Sequence, residues 1–85
     1  MKVRVLVSFK DSVLDPQGQT VMNALHTLGY DFIKGVRQGK VFELQMDGLT
    51  RADAETVIPE IADKVLANPI IEQFQWTILE ETGKD

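Results

Sequence analysis

The sequence predicts an α+β domain of the βαββαβ ferredoxin-like type, in which two helices cover one face of an antiparallel sheet. Residues 2–10 alternate between apolar and polar side chains, as in a half-buried strand. Two later segments have the apolar period of amphipathic helices, and two further alternating segments flank Gln38-Gly39. The 85 residues indicate one domain. We expect it to span 1–80, with 81–85 as a flexible C-terminal tail, and to associate through sheet surfaces or edges.

The first helix is predicted to begin after Asp15 and to stop at Gly29. The Asp15 carboxylate can cap the first turn, Pro16 fits the first helical position, and Gly29 suits the left-handed C-cap. An apolar stripe is expected to face the core: Val21, Ala24, Leu25 and Leu28. The outward face carries no charge and consists of Gln19, Asn23, His26 and Thr27, with Met22 on its flank. Because charge is depleted at interface cores, this face predicts contact with another protein.

Segments 32–37 and 41–46 are predicted to form a hairpin that turns at Gln38-Gly39. A two-residue loop places Ile33 opposite Leu44 on the apolar face. The same register places Lys34 opposite Glu43 on the other face, which is a favourable charge pair. Side-chain alternation therefore supports this register.

The second helix is predicted to begin at Thr50, because Asp53 follows three residues later in a near match to a capping box. Its expected core stripe is Ala54, Val57, Ile58, Ile61, Ala62 and Val65. Pro59 is expected to kink this helix or to start a new one. A last strand is predicted over 70–79, with Phe74, Trp76 and Ile78 facing inward.

The composition excludes several classes of function. The chain has no cysteine, so disulfides and thiolate chemistry are excluded. The net charge of −4 and the lack of aromatic residues on the open face of the central strands argue against RNA binding. We expect no membrane contact, because no apolar run approaches the length of a membrane span, and a cytoplasmic location follows by default.

No residues are predicted to be catalytic, cofactor-binding or metal-binding. His26 is the only histidine, and neither a metal site nor a catalytic triad can be assembled around it alone. The run 35–41 is one residue short of a phosphate loop and lacks its Ser or Thr. Two alternatives remain open: a stand-alone small-molecule-sensing domain of the same topology, and an acylphosphatase-like hydrolase, for which no anion-binding loop follows the first strand.

Four motifs in order resemble the PurS family, the small subunit of phosphoribosylformylglycinamidine synthase. They are Leu14-Asp15-Pro16-Gln17-Gly18, Ala24-Leu25 with Leu28-Gly29-Tyr30, Val36-Arg37-Gln38-Gly39-Lys40 before Phe42-Glu43-Leu44, and Leu66-Ala67-Asn68-Pro69-Ile70-Ile71-Glu72. The resemblance extends over nearly the whole chain, and only Pro59 departs from the second helix expected for the family.

The resemblance implies a non-catalytic subunit in de novo purine biosynthesis. The implied complex converts formylglycinamide ribonucleotide, ATP and glutamine to the amidine, ADP, phosphate and glutamate. The small subunit would bridge a large synthetase subunit and a glutaminase subunit and support ammonia transfer, as a homodimer or tetramer. ATP and magnesium would lie on the large subunit. The residues predicted to contact partners are Asp15, Gln17, Gly18, Gln19, Met22, Asn23, His26, Arg37, Lys40, Asn68 and Pro69.

Overall fold

The computed structural model describes residues 1–80, so the predicted tail 81–85 lies outside the described residues. The elements in chain order are strand β1 (Lys2–Phe9), helix α1 (Pro16–Thr27), strand β2 (Gly39–Gln45), helix α2 (Arg51–Ile61) with a π-helical turn (Ala62–Leu66), and strand β3 (Glu72–Glu80). No described helix is long and apolar enough to cross a membrane.

The three strands form one antiparallel sheet with β1 in the centre, in the order β2-β1-β3. Met1 and Met46 exchange two backbone hydrogen bonds of 2.9 Å at one end of the β1–β2 ladder. Because such doubly bonded pairs alternate along an antiparallel ladder, Phe42 and Leu44 also point their backbone groups toward β1. Val41 and Glu43 point theirs to the outer edge of β2, which has no neighbouring strand among residues 1–80.

The hydrophobic core lies between this sheet and α2. The side chains of Val3, Val5 and Val7 are at most 1% exposed and pack with buried residues of the helix and the π-helical turn: Ala54, Ile58 and Ala62. The inward side chains predicted for the last strand pack against the same cluster. The core stripe predicted for α2 is therefore confirmed at its centre, whereas Val65 is 75% exposed.

Helix α2 has the predicted start and runs through its proline. The Thr50 hydroxyl accepts the amide of Asp53 at 3.1 Å, and the Asp53 carboxylate accepts the amide of Thr50 at 3.1 Å, which completes the capping box. Pro59 lies inside the α-helix and neither ends it nor starts a new one. Three residues later the helix continues as a π-turn, in which the Ala67 amide bonds the Ala62 carbonyl at 2.9 Å.

Helix α1 has the predicted caps but does not pack against the sheet of its own chain. Asp15 caps it, Pro16 is its first residue, and Gly29 follows it with a positive φ of 99°. Gly18 is its only buried residue, and none of its side chains belongs to the hydrophobic core described above. Most of the predicted core stripe is therefore open to solvent, with Val21 41% and Leu28 72% exposed, whereas Leu25 is half-buried.

The segment after α1 runs back along the helix in an extended conformation. Ile33 contacts His26, and Gln38 contacts Asp15. The five residue-to-residue steps from 33 to 38 therefore cover the same distance as the eleven steps from 15 to 26 along the helix. Eleven residues of helix are about 16 Å long, which requires roughly 3.3 Å per residue in the returning chain. Residues 33–38, hereafter the return segment, therefore have the rise of a strand, although no strand pairs with them among the described residues.

The hairpin predicted at Gln38-Gly39 is not formed. A two-residue hairpin turn needs a positive φ, and the positive φ angles of the described chain occur only at Gly29 and Gly48. The chain instead passes straight from the return segment into β2. A glycine is needed at position 39 for another reason, because a Cβ there would lie 2.6 Å from the Val7 carbonyl oxygen.

Helix α1 and the return segment together form an arm that projects from the end of the sheet. The molecule is 50 Å long, close to the combined length of an eight-residue strand and a twelve-residue helix placed end to end. Its radius of gyration is 16.5 Å, whereas a compact chain of this length has a value of about 12 Å. The fold thus leaves the arm without a covering layer.

Candidate interaction surface

Asp15 holds the base of the arm together. It is only 9% exposed, and its carboxylate accepts the amide of Gly18 at 2.9 Å and the amide of Gln38 at 2.7 Å. These two bonds, first that from Gln38 and then that from Gly18, lower the pKa of Asp15 below its ordinary value of 3.8. The carboxylate therefore fixes the start of α1 to the start of β2.

Gly18 lets the return segment approach α1 closely. A Cβ at this position would lie 2.3 Å from the carbonyl oxygen of Val36, which is backbone and cannot move aside cheaply. Beside this contact, the side-chain amide of Gln38 donates to the Gln17 side-chain oxygen at 2.7 Å. The close packing of the return segment therefore explains why the Asp15-Pro16-Gln17-Gly18 motif ends in a glycine.

Charged residues join the base of the arm to the end of the sheet. The Arg37 guanidinium donates to the carboxylate of Asp11 and to the Phe9 carbonyl. On the neighbouring strand, Lys40 Nζ lies 3.7 Å from Glu72 Oε2. Arg37 and Lys40 were predicted at a hairpin tip, and the structure places them at this junction instead.

The Asn68-Pro69 turn reaches the same junction through Glu72. The Glu72 carboxylate accepts the backbone amide of Asn68 at 2.7 Å, and the Asn68 side chain accepts the amide of Ile70 at 3.1 Å. The structure thus brings together, at one end of the sheet, the predicted residues Asp15, Gln17, Gly18, Arg37, Lys40, Asn68 and Pro69. A groove of about 380 Å³ lies there, lined by residues that include Ser8, Gln17, Gln38, Lys40 and Glu72.

The predicted outer face of α1 is only partly free. Gln19 and Asn23 are exposed and bonded to each other at 3.2 Å, and Thr27 is also exposed. His26 is half-buried, with Nε2 2.7 Å from the Ile33 carbonyl oxygen, and Met22 is half-buried beside the return segment. His26 and Met22 therefore belong to the inside of the arm, which corrects their predicted position on the free face.

Sequence reasoning missed two residues of the junction, Asp11 and Glu72, and did not predict the role of Gln38 within the candidate segment 37–40. Gln38 was assigned to a turn, and nothing in its neighbourhood signals that its amide bonds a carboxylate 23 residues away. The described residues contain no group of three or more His, Cys, Asp or Glu side chains arranged to hold a metal ion.

Comparison with known proteins identifies the family. A sequence model of PurS, described as phosphoribosylformylglycinamidine (FGAM) synthase, matches residues 2–80. The chain belongs to the PurS family. It is 43% identical over 79 residues to the PurS subunit of phosphoribosylformylglycinamidine synthase from Bacillus subtilis, covering 93% of each chain. The PurS subunit from Mycobacterium leprae is 46% identical over 78 residues, with 92% of each chain covered.

Solved PurS structures share the fold. The PurS structure from B. subtilis superposes with a TM-score of 0.83 at 43% identity and covers 93% of this chain and 98% of its own. PurS from Methanocaldococcus jannaschii, one of the subunits of formylglycinamide ribonucleotide amidotransferase in the purine biosynthetic pathway, also has a TM-score of 0.83. Its identity is 30%, with 95% and 96% of the two chains covered. The predicted α+β class, with its antiparallel sheet and two helices, is confirmed.

Proposed function

We propose that this PurS-family chain is the non-catalytic assembly subunit of phosphoribosylformylglycinamidine synthase. It bridges the large synthetase subunit and the glutaminase subunit and supports the transfer of ammonia between them. ATP and magnesium bind to the large subunit. The observation that carries this proposal is family membership over residues 2–80, because the relatives are subunits of that enzyme.

The distribution of polar groups supports an assembly role. The only histidine uses Nε2 on a backbone carbonyl inside the arm, which is a structural position. Gln19 and Asn23 present neutral amides to solvent on α1, where a partner can exchange their mutual hydrogen bond for intermolecular ones. The charged side chains at the base of the arm pair with one another, Arg37 with Asp11 and Lys40 with Glu72.

Reconstitution from purified subunits tests the proposal. The chain is mixed with the large synthetase and the glutaminase in the presence of glutamine and nucleotide. We expect a three-component complex, with glutamine-dependent turnover that requires this chain. Turnover that is the same with and without the chain would contradict the proposal.

A matched pair of variants tests whether the exposed face of α1 contacts a partner subunit. Asn23→Glu places a charge on the exposed face of α1, and we expect it to weaken the complex about tenfold or more with little change in melting temperature. Ala52→Glu makes the same charge change on the exposed side of α2 and serves as the control. Equal effects of the two variants would remove the α1 face from the proposal. Met22 is unsuitable for this test because it is half-buried.

Calorimetry on the isolated chain distinguishes the bridging subunit from a stand-alone small-molecule-sensing domain. The groove at the base of the arm has polar lining residues, which is the feature that a stand-alone sensing domain would use. The bridging proposal expects no tight binding of amino acids or nucleotides by the isolated chain. Tight binding there, together with turnover that does not need the chain, would favour the sensing domain.

A further inference from the structure

We propose that the peptide bond between Asp47 and Gly48 is a site of spontaneous modification. There the aspartate isomerises to isoaspartate and becomes a substrate for a carboxyl methyltransferase that uses S-adenosylmethionine. The two residues form the bend between β2 and α2. An aspartate followed by glycine suits this reaction, because glycine has no Cβ to hinder attack by its own amide nitrogen. This inference does not rest on the proposed bridging role.

The bend leaves both reacting groups unbonded. Asp47 and Gly48 are exposed, and neither forms a hydrogen bond or an ion pair within residues 1–80. Gly48 has a positive φ of 77°, and a Cβ built on it would meet no atom within 4 Å. A groove of about 260 Å³ lies beside Asp47 and gives water access to it. The fold therefore does not restrain the carboxyl group or the amide that must meet.

The other aspartate and asparagine residues of the described chain lack one or more of these conditions. Asp15 and Asn68 precede prolines, which have no amide proton. The Asp11 carboxylate is paired with the Arg37 guanidinium. The amide that follows Asp53 donates to the carbonyl of the helix cap at 3.0 Å. The rest lie in helices or precede a bulky aromatic residue, so the bend is the favoured position within residues 1–80.

The reaction needs no catalytic partner group. The Gly48 nitrogen bonds to Cγ of Asp47, and the amide proton leaves with the hydroxyl of the protonated carboxyl group as water. The product is a cyclic imide. Water then adds to Cγ, which restores aspartate, or to the former main-chain carbonyl carbon, which leaves the chain running through Cβ and Cγ. The second product is isoaspartate, whose free α-carboxylate can accept the methyl group of the sulfonium in S-adenosylmethionine.

Isomerisation lengthens a connection that is bonded at both ends. On one side, Met46 exchanges two backbone hydrogen bonds of 2.9 Å with Met1. On the other side, Thr50 forms the capping box with Asp53. The isoaspartyl link adds one atom to the backbone between these two contacts. Residues 47–49 must absorb the added length, so the modification changes how β2 is connected to α2.

Tryptic mapping of the aged full chain tests the position. The chain is incubated at neutral pH, and trypsin then releases the peptides 41–51 and 11–34. We expect 41–51 to give a second chromatographic species of unchanged mass that accepts a labelled methyl group from an isoaspartyl methyltransferase. The peptide 11–34 contains three aspartates and one asparagine and is the internal control, which should stay unmodified. A stronger methylation signal in 11–34 than in 41–51 would overturn the proposal.

Asp47→Glu is the matched variant. It keeps the charge, but its extra methylene group enlarges the imide ring that must close. We expect this variant to lose the methylation signal of 41–51. Equal methyl incorporation in the variant, or none in the parent chain, would overturn the proposal.

Unfolding in urea separates the role of the structure from that of the local sequence. We expect urea to raise isoaspartate in 11–34, because unfolding removes the ion pair and the helix that protect its residues in the native chain. The rate in 41–51 should change little, because the bend already leaves its reacting groups unbonded. A large rise in 41–51 would show that the native bend protects this peptide bond, which contradicts the proposal.

Discussion

The carboxylate of Asp15 accepts the backbone amide of Gln38 at 2.7 Å, across 23 residues of chain. The same carboxylate caps α1 by accepting the amide of Gly18, so one side chain joins the start of the helix to the start of β2. Both bonds favour the ionised form, which is why the pKa of Asp15 lies below 3.8.

Replacing Asp15 with Asn should lower the melting temperature at pH 7 by roughly 5 °C, because the cap and the bond to Gln38 are both weakened. Since folding lowers the pKa of Asp15, its stabilisation is fully present above pH 3.8 and is lost as the pH falls through the folded-state value. Thermal unfolding at fixed protein concentration from pH 7 to pH 2 should show the two proteins converging in the acid range. A difference that stays constant with pH would contradict this explanation.

Gly18→Ala should destabilise the chain by about 1–3 kcal/mol, because the added methyl group would lie 2.3 Å from the Val36 carbonyl oxygen. Gly35→Ala is the matched control on the other side of the arm, where a Cβ meets nothing within 4 Å. The control should be neutral or gain up to about 1 kcal/mol from the less flexible unfolded chain. Urea unfolding gives the free energy of unfolding of both variants. Similar values would show that the Val36 carbonyl does not pack tightly against Gly18.

Ile58→Ala should cost about 2–5 kcal/mol, because this side chain is completely buried between α2 and the sheet. Val65→Ala, at a position 75% exposed, should change the free energy of unfolding by no more than about 0.5 kcal/mol. Chemical denaturation gives both numbers. A large effect at Val65 would place that residue in a contact that a single chain does not make.

Pro59→Ala should stabilise the chain by about 1–2 kcal/mol. The proline lacks the amide that would bond the carbonyl four residues earlier, and an alanine restores that bond in a helix that already runs through the site. The gain is smaller than the roughly 3 kcal/mol cost of a proline in a helix, since the proline also restricts the unfolded chain. Denaturant unfolding with Thr56→Ala as a surface control tests it, and a loss of stability would show that the proline itself makes a needed contact.

The elements that sequence reasoning placed correctly are those set by local chemistry. Asp15 with Pro16, Thr50 with Asp53, and Gly29 each act within one helical turn, so their residue types suffice to predict them. The alternation in β1 also holds, as does the centre of the α2 stripe at Ala54, Ile58 and Ala62, because both elements pack within one chain.

The arm was misplaced because its position depends on contacts between distant residues. The alternating pattern of 32–37 predicts a strand, whereas the structure has a turn at Phe32 and an extended segment over 33–38 that pairs with no strand among the described residues. The sequence Gln38-Gly39, however, does not distinguish a turn from a straight passage beside Val7. Likewise, the apolar stripe of α1 predicts that another surface covers the helix, but it does not identify that surface. The long-range bonds of Asp15 and Arg37, which direct the arm away from the sheet, have no local signature.

Two covalent connections, the loop after β1 and the junction at Gly39, join the arm to the sheet at the same end. A single connection would let the helix rotate relative to the sheet, whereas two connections fix both the direction of the helix and how far it extends from the sheet. The far end of α1 is therefore kept at a defined distance from α2.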